Sequence, residues 1–480
     1  MRAKIAASFI DENHRKWWTL AAVSFGLFMI MLDNTVVNVA LPSIQADLDL
    51  KISELEWVLT GYALTFGAFM LTGGKLADLL GRRRIFVIGL VIFTASSLGC
   101  GLAGSAAVLI GARVVQGLGA ALMNPATLSI ITVSFPPKQR GTAIGIWAGV
   151  SALALAIGPL VGGIITERIS WSWIFFINVP VGVIAIVAAF VFIDESRDTS
   201  SEQRPDIPGL VTSALGLFAL TYGLIEANEY GWTSPRILAS FAVAAISLVG
   251  FVLLERHQRL PMLELALFRN KGFSGANAVM LLVGLAMFGI FFYVSLYVQQ
   301  ILGFSAIQAG ASFLPWTVLI VLLAPQAGRL SDRIGPRPFV AGGMVILSVA
   351  MIVFSRMGAD ENFWGLLPGM LLGGVGMSAA MAPVTAAAMQ SVRPDKAGVG
   401  SAVLNSMRQV GGSMGIAIMG AIVAASTTAG RPDPTGFLHG FHHALETAAG
   451  LTLLGAVIAF LTLPKAPREH GREAAVAEAG

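Results

Sequence analysis

Long runs of apolar residues, each broken by a short polar connection, recur from Trp17 almost to the end of the chain. A helix of about 20 residues crosses a hydrocarbon core about 30 Å thick, so each run is long enough to span. The pattern predicts helices over 17–41, 53–79, 85–104, 107–133, 140–166, 172–193, 207–227 and 235–254. Six more are predicted over 273–300, 306–330, 338–357, 362–386, 396–425 and 439–463. The stretch from Trp17 to Ala40 exceeds the hydrophobic segment of a signal peptide, and the residues before it are polar and mixed in charge. The expected fold class is an all-α polytopic membrane protein with 14 transmembrane helices.

Composition agrees. Of 480 residues 55% are hydrophobic, 54 are glycine and only 12% are charged, about half the charged share of a soluble domain. A water-soluble globule, a disordered chain and a nucleic-acid binder are excluded. The single cysteine, Cys100, lies in an apolar run, so neither a disulfide framework nor a cysteine metal site is available. The net charge of +4 is explained by placement. With the N-terminus inside, the connections on that side hold Arg82 to Arg84, Lys138, Arg140, Arg197, Arg204, Arg256, Arg259, Arg269 and Lys271. They also hold Arg329, Arg333, Arg337, Arg393 and Lys396, besides the basic residues of both tails. The opposite side has Lys51, Arg168, Arg236, Arg356 and Arg431. Such a bias places both termini in the cytoplasm.

The chain repeats itself. Gly74-Lys-Leu-Ala-Asp78-Leu-Leu-Gly81-Arg82 recurs as Gly328-Arg-Leu-Ser-Asp332-Arg333-Ile-Gly335-Pro336, and Pro137, Gly141 and Gly158 recur as Pro394, Gly398 and Gly415. The expected organisation is a tail (1–16), a six-helix half (17–193), a linker with two extra helices (194–258), a second six-helix half (259–464) and a tail (465–480). A six-plus-two-plus-six parallel repeat argues for a transporter that rocks one half against the other.

Several motifs in order resemble the major facilitator superfamily, and within it the fourteen-helix drug:proton antiporters. Gly74 to Arg84 resembles the loop between helices 2 and 3; glycines there allow a tight turn. The resemblance implies that Asp78 at a helix end gates one conformation, with Gly74, Gly81 and Arg82, and with Asp332 and Arg333 in the second copy. Leu79 stands where the family usually has arginine. Leu32-Asp33-Asn34-Thr35-Val36-Val37-Asn38-Val39-Ala40-Leu41-Pro42 matches the helix 1 motif. Asp33 lies about 24 Å along its helix at 1.5 Å per residue, and a carboxylate there is expensive to keep ionised. That suits a proton carrier; the alternative is a structural carboxylate paired with a polar neighbour such as Asn34 or Asn38.

Arg113, in Gly111-Ala-Arg113-Val-Val-Gln116-Gly117, matches the helix 4 arginine motif. A guanidinium inside a span needs a partner. The resemblance implies that it couples protonation to conformational change; a buried structural ion pair is the alternative. Its counterpart in the second half is Met370. Ala154-Leu-Ala-Ile-Gly158-Pro159-Leu-Val-Gly162-Gly163 resembles the helix 5 motif of antiporters, with Ala154 in place of the motif's first glycine. Small residues let helix 5 approach its neighbour and Pro159 bends it. Ile416 replaces the proline in the second half. Arg408 and Gln409 in helix 11 of the twelve-helix core, the thirteenth predicted span, also resemble the group, Arg408 facing either the cavity or a helix-end lock.

Asn34, Asn38, Gln116, Asn124, Trp147, Tyr293, Tyr297, Gln300, Trp316 and Asn405 are the candidate substrate contacts, each of which helix packing would also explain. Trp147 and Trp316 lie inside spans, where they can stack on planar or cationic compounds. Trp17, Trp18, Trp57, Trp171, Trp173, Trp232 and Trp364 fit interfacial belts. Most of the 18 methionines read as lipid-facing filler. His439, His442 and His443 have a spacing that can hold a metal or sense pH, without a cysteine or carboxylate beside them, and Glu226 and Glu229 read as solvated. No catalytic motif is embedded in context, so the expectation is no enzyme and no cofactor, with the proton as coupling ion. The expected activity is proton-coupled export of amphipathic or cationic compounds across the inner membrane, by a protein that works as a monomer within the lipid bilayer and binds no nucleic acid. A dedicated exporter of one antibiotic, lipid or metabolite would share these motifs; a nutrient importer or a polytopic membrane enzyme fits them less well.

Overall fold

The computed structural model describes residues 12–197, 206–258, 261, 263–393, 396–426 and 434–465. Arg204, Arg259, Pro394, Arg431 and most of the two tails fall outside these. The described residues form 14 helices long and apolar enough to cross a membrane. They are α1 (Glu12–Leu48), α2 (Ile52–Leu80), α3 (Arg82–Gly101), α4 (Ala106–Ser134), α5 (Pro137–Arg168), α6 (Trp173–Phe192) and α7 (Ile207–Tyr230). The rest are α8 (Pro235–His257), α9 (Lys271–Ile301), α10 (Ala306–Ile334), α11 (Pro336–Phe354), α12 (Phe363–Gln390), α13 (Ala397–Ser426) and α14 (Pro434–Thr462).

Departures from the expected boundaries have local causes. α1 continues through Pro42 to Leu48 because Gln45 and Asp47, polar enough to suggest a loop, are engaged by Leu50 and Trp171. α10 breaks at Phe313, just before Pro315, and α9 ends in a π turn over Tyr297–Ile301. At the predicted repeat, Gly81 (φ +114°) and Gly335 (φ +102°) both adopt the positive φ that glycine takes readily, so the two loop copies share one backbone turn.

α1 packs on α5 and α6, α4 on α2 and α3, and α3 on α6; among the last six helices, α9 packs on α13 and α14, and α12 on α10 and α11. Two seams join these sets: α2 against α13, and α5 against α10. α7 leans on α8, α2 and α13, so the extra pair covers the first seam. Side chains such as Val187, Ile246, Leu253 and Leu461 point outward and exposed, as lipid contact requires. An even number of spans returns the chain to the side where it began. Arg15 meets Asp194 at 2.5 Å and Arg337 Nε donates to Leu463 O at that terminal end; the other is the far end.

Trp17, Trp18, Trp173, Trp232 and Trp364 are exposed. Trp171 departs from the expected belt. It is buried and donates through Nε1 to Asp47 Oδ2 at 2.8 Å, because the extended α1 reaches it. Trp57 likewise donates to Glu226 Oε1 at 3.1 Å, and Glu229 pairs with Lys51 at 2.5 Å, so these glutamates tie α7 to the start of α2.

Candidate functional site: a central cavity and a buried charge pair

Between the two six-helix sets lies a small central cavity of about 50 Å³. α1 supplies Met31, Asn34, Thr35 and Asn38; α5 supplies Ala152, Leu155 and Ala156. From the other set come Met287, Phe288 and Phe291 of α9, Thr317 and Ile320 of α10, Met381 of α12, and Arg408 and Gln409 of α13. The walls are therefore apolar with a few polar groups, as binding sites for small molecules are. Asn34 Nδ2 donates to Ile30 O and Asn38 Nδ2 to Asn34 O, so each amide spends a donor on α1 and keeps Oδ1 unpaired.

One residue before Asn34, Asp33 turns away from the cavity into the first six helices. Its Oδ2 accepts from Arg113 Nη1 at 2.5 Å and its Oδ1 from Gln116 Nε2 at 3.0 Å. Arg113 also donates through Nε to Val58 O and through Nη1 to Gln116 Oε1, with its guanidinium 4.2 Å from the centre of the Tyr62 ring. Gln116 and Asn178 both donate to Ser97 Oγ, which donates in turn to Phe175 O. α1, α2, α3, α4 and α6 thus meet at one polar cluster. Neither charged side chain reaches solvent: Asp33 is 0% exposed and Arg113 1%. A buried pair tolerates this only when its remaining hydrogen-bond sites are filled, which Gln116 and Val58 do.

The loop motif is anchored at the terminal end. Asp78 Oδ1 accepts from Arg82 Nε and Nη2 at 3.0 and 2.9 Å. Glu195, which sequence reasoning missed, accepts from the backbone N–H groups of Arg83 and Arg84, binding the N-terminus of α3 where a carboxylate is favoured. Asp332 and Arg333 in the second copy are exposed, so the two loops share a turn but not a charge network.

Contacts between the two sets gather toward the far end. Ser295 Oγ donates to Asn38 O, Gln299 Nε2 to Val39 O, Gln300 Nε2 to Gln45 Oε1, and the Ile307 N–H to Glu167 Oε2. α5 touches both α1 and α10 through its glycines. A Cβ on Gly162 would stand 2.7 Å from Val36 O, and one on Gly163 2.3 Å from Ala306 O. Gly310 reciprocates against Pro159 O, and a Cβ on Gly158 would strike Thr35 Oγ1. The helix 5 motif is a close-packing surface facing two ways.

Glu56 on α2 is a further buried carboxylate that sequence reasoning missed. It is 3% exposed and accepts from Tyr293 Oη on α9 at 2.8 Å. Two places after the headgroup-level Glu54, it reads as a helix-start acid; the packing of α9 and α13 is what encloses it.

Of the expected substrate contacts, only Asn34 and Asn38 line the cavity. Gln116 is held in the Asp33 cluster. Trp147 donates to Thr127 Oγ1 and binds α5 to α4. Tyr293 is taken by Glu56, Tyr297 donates to Gly358 O and stacks on Phe441, and Gln300 sits on the far-end seam. Trp316 is enclosed between Phe291 and Gly373, Asn405 bonds to Ser401 O on its own helix, and Asn124 is buried within α4. Each lies on the expected helix, but on a face other than the one that lines the cavity. Arg408 lies in the cavity wall rather than at a helix end. His442 Nε2 is 2.7 Å from Met357 O, while His443 does have a carboxylate near, Glu446 at 3.7 Å. Among the described residues no group of His, Cys, Asp and Glu is arranged to hold a metal.

The chain is similar to curated bacterial proteins over most of its length. It is 35% identical to the tetracenomycin C resistance and export protein of Streptomyces glaucescens, covering 87% of this chain and 78% of that one. It is also 35% identical to the puromycin resistance protein of Streptomyces alboniger, covering 95% and 93%. Among solved structures, an inward-facing, unoccupied bacterial homologue of the human lysosomal transporter Spinster superposes with a TM-score of 0.67 over 93% of this chain and 97% of that one. At 17% identity that likeness speaks for the fold. The sequence pattern of the Major Facilitator Superfamily matches residues 23–416, and the chain belongs to that superfamily.

Proposed function

We propose that the protein exports amphipathic small molecules from a bacterial cytoplasm across the plasma membrane in exchange for protons. Export is supported by the two relatives reported above, each named for resistance to, or export of, a single antibiotic. The same names favour a second reading, a dedicated exporter of one compound, which a substrate screen separates from a broad one. The basic residues at the terminal end support a cytoplasmic placement of that end, toward which the cavity opens when the far-end seam is closed.

One observation carries the proton coupling: Asp33 bonds to Arg113 on one face of α1 while Asn34, Thr35 and Asn38 line the cavity on another. Protonation of Asp33 removes the ionic tie that binds α1 to α4. Arg113 stays held by Val58 O, Gln116 and the Tyr62 ring. α1, with its cavity face, is then released to move against α5. A coupling ion can shift the two states only through such a difference in interaction. Inside-out vesicles with an acidic lumen, offered ethidium, rhodamine 6G and fluorescein, test this. Accumulation of at least one dye, abolished by nigericin, is expected; accumulation that persists without a pH gradient overturns the proton coupling.

A further inference from the structure

We infer that the cavity selects amphipathic compounds bearing an anionic oxygen, held by Arg408 and Gln409, and disfavours cations. This rests on the export reading and narrows its substrate class against the expectation of cationic drugs. Arg408 is 8% exposed and lines the cavity, yet among the described residues it has no carboxylate partner, and its Nε is enclosed without an acceptor. Gln409 beside it is 1% exposed, with Nε2 also unpaired. No carboxylate lines the cavity. Asp33, one residue before the cavity-lining Asn34, has each oxygen already engaged, by Arg113 and Gln116.

A buried guanidinium without a counter-charge is costly, and an uncompensated donor beside it adds to that cost. A ligand oxygen carrying negative charge removes both deficits. A cation in the same space would meet like charge with nothing on the wall to offset it. Across the cavity the unpaired Oδ1 atoms of Asn34 and Asn38 offer acceptors to a hydroxyl or N–H. Between these two polar faces, Phe288 and Phe291 supply an apolar wall. The complementary ligand is a flat, largely apolar molecule with an acidic oxygen at one edge and a donor at the other: an acidic phenol, enol or carboxylate on a fused aromatic frame.

The test compares two xanthene dyes of similar size and opposite charge, fluorescein and rhodamine 6G, as substrates of the full-length protein in inside-out vesicles. Wild type is expected to accumulate fluorescein in preference to rhodamine 6G. Arg408→Gln is expected to lower fluorescein uptake about tenfold, as for loss of one hydrogen bond to a charged group, and Arg408→Lys to keep part of it. If Arg408→Gln does not fold, Gln409→Leu supplies the same comparison through fluorescein affinity alone. Preference for rhodamine 6G, or fluorescein uptake indifferent to Arg408→Gln and Gln409→Leu, overturns the inference and leaves export intact. Transport of neither dye contradicts the broad-export reading and the inference with it, and favours the dedicated exporter.

Discussion

Asp33 Oδ2 on α1 and Arg113 Nη1 on α4 lie 2.5 Å apart with both side chains sealed from solvent. Such a pair responds unequally to its two possible losses. Arg113→Ala leaves a carboxylate buried without a counter-charge and is expected to destabilise the protein by about 3–5 kcal/mol. Asp33→Asn keeps an oxygen for Arg113 in a side chain of equal size, though it leaves the guanidinium uncompensated. Arg113→Lys should fall nearer to alanine than to wild type, because one ammonium cannot reproduce the donors aimed at Asp33, Val58 O and Gln116. Melting of the detergent-solubilised variants checks the order; Arg113→Lys as stable as wild type would contradict it.

The bond from Tyr293 to Glu56 joins α9 to α2 across the seam that closes the far end. Tyr293→Phe removes the donor and leaves the carboxyl of Glu56 enclosed, a loss of about 1–3 kcal/mol borne by the closed arrangement alone. The far end should then open more often. A cysteine placed by Val39→Cys, at a position buried in that end, should react faster with a membrane-impermeant maleimide from the far side when Tyr293→Phe is added. The only native cysteine, Cys100, is buried and gives little background. Unchanged labelling would show that this bond does not hold the end shut.

Gly163 and Gly310 press α5 and α10 backbone to backbone. An added methyl on either meets a carbonyl, which cannot swing aside as a side chain can. Gly163→Ala and Gly310→Ala should each cost about 1–3 kcal/mol and slow dye transport. Gly145→Ala and Gly149→Ala on the same α5, where an added Cβ meets nothing within 4 Å, should do neither. Equal effects from both pairs would mean that helix propensity, not close approach, governs this helix.

Outside the spans, the Glu229 carboxylate raises the affinity of Lys51 for its proton, first through their hydrogen bond and then through charge. A cation so favoured in the folded state contributes stability that is present below the ordinary lysine value of 10.5 and lost as pH rises through the raised folded value. Both groups are exposed, so the contribution is small and salt-sensitive. The melting difference between wild type and Lys51→Gln should stay flat from about pH 7 to 9 and shrink as the pH is raised past the ordinary lysine value of 10.5; a difference that grows on raising the pH has the wrong sign.

The membrane helices were legible because hydrocarbon imposes one demand, a long apolar run, that residue type alone reveals. The Asp33–Arg113 pair was half legible: a charge in a span announces that it has a partner, and these two are the charges deepest in α1 and α4. The remaining contacts were not. Tyr293, Trp316 and Asn405 lie on the expected helices, but which face meets the cavity depends on helix rotation. Nearly uniform apolarity around helices such as α9 leaves no stripe from which to read rotation. Glu56 and Glu195 escaped for another reason: each sits near a helix end, where acids are ordinary, and only neighbours remote in sequence give them a role.

The account stands most directly on whether Asp33 carries the proton. With whichever xanthene dye the wild type accumulates, uptake into inside-out vesicles is measured for wild type and Asp33→Asn, once under an imposed pH gradient and once as dye-for-dye exchange without one. The account predicts that Asp33→Asn loses gradient-driven accumulation and keeps the exchange, because binding and movement survive while the link to the proton does not. Accumulation undiminished in Asp33→Asn would contradict it.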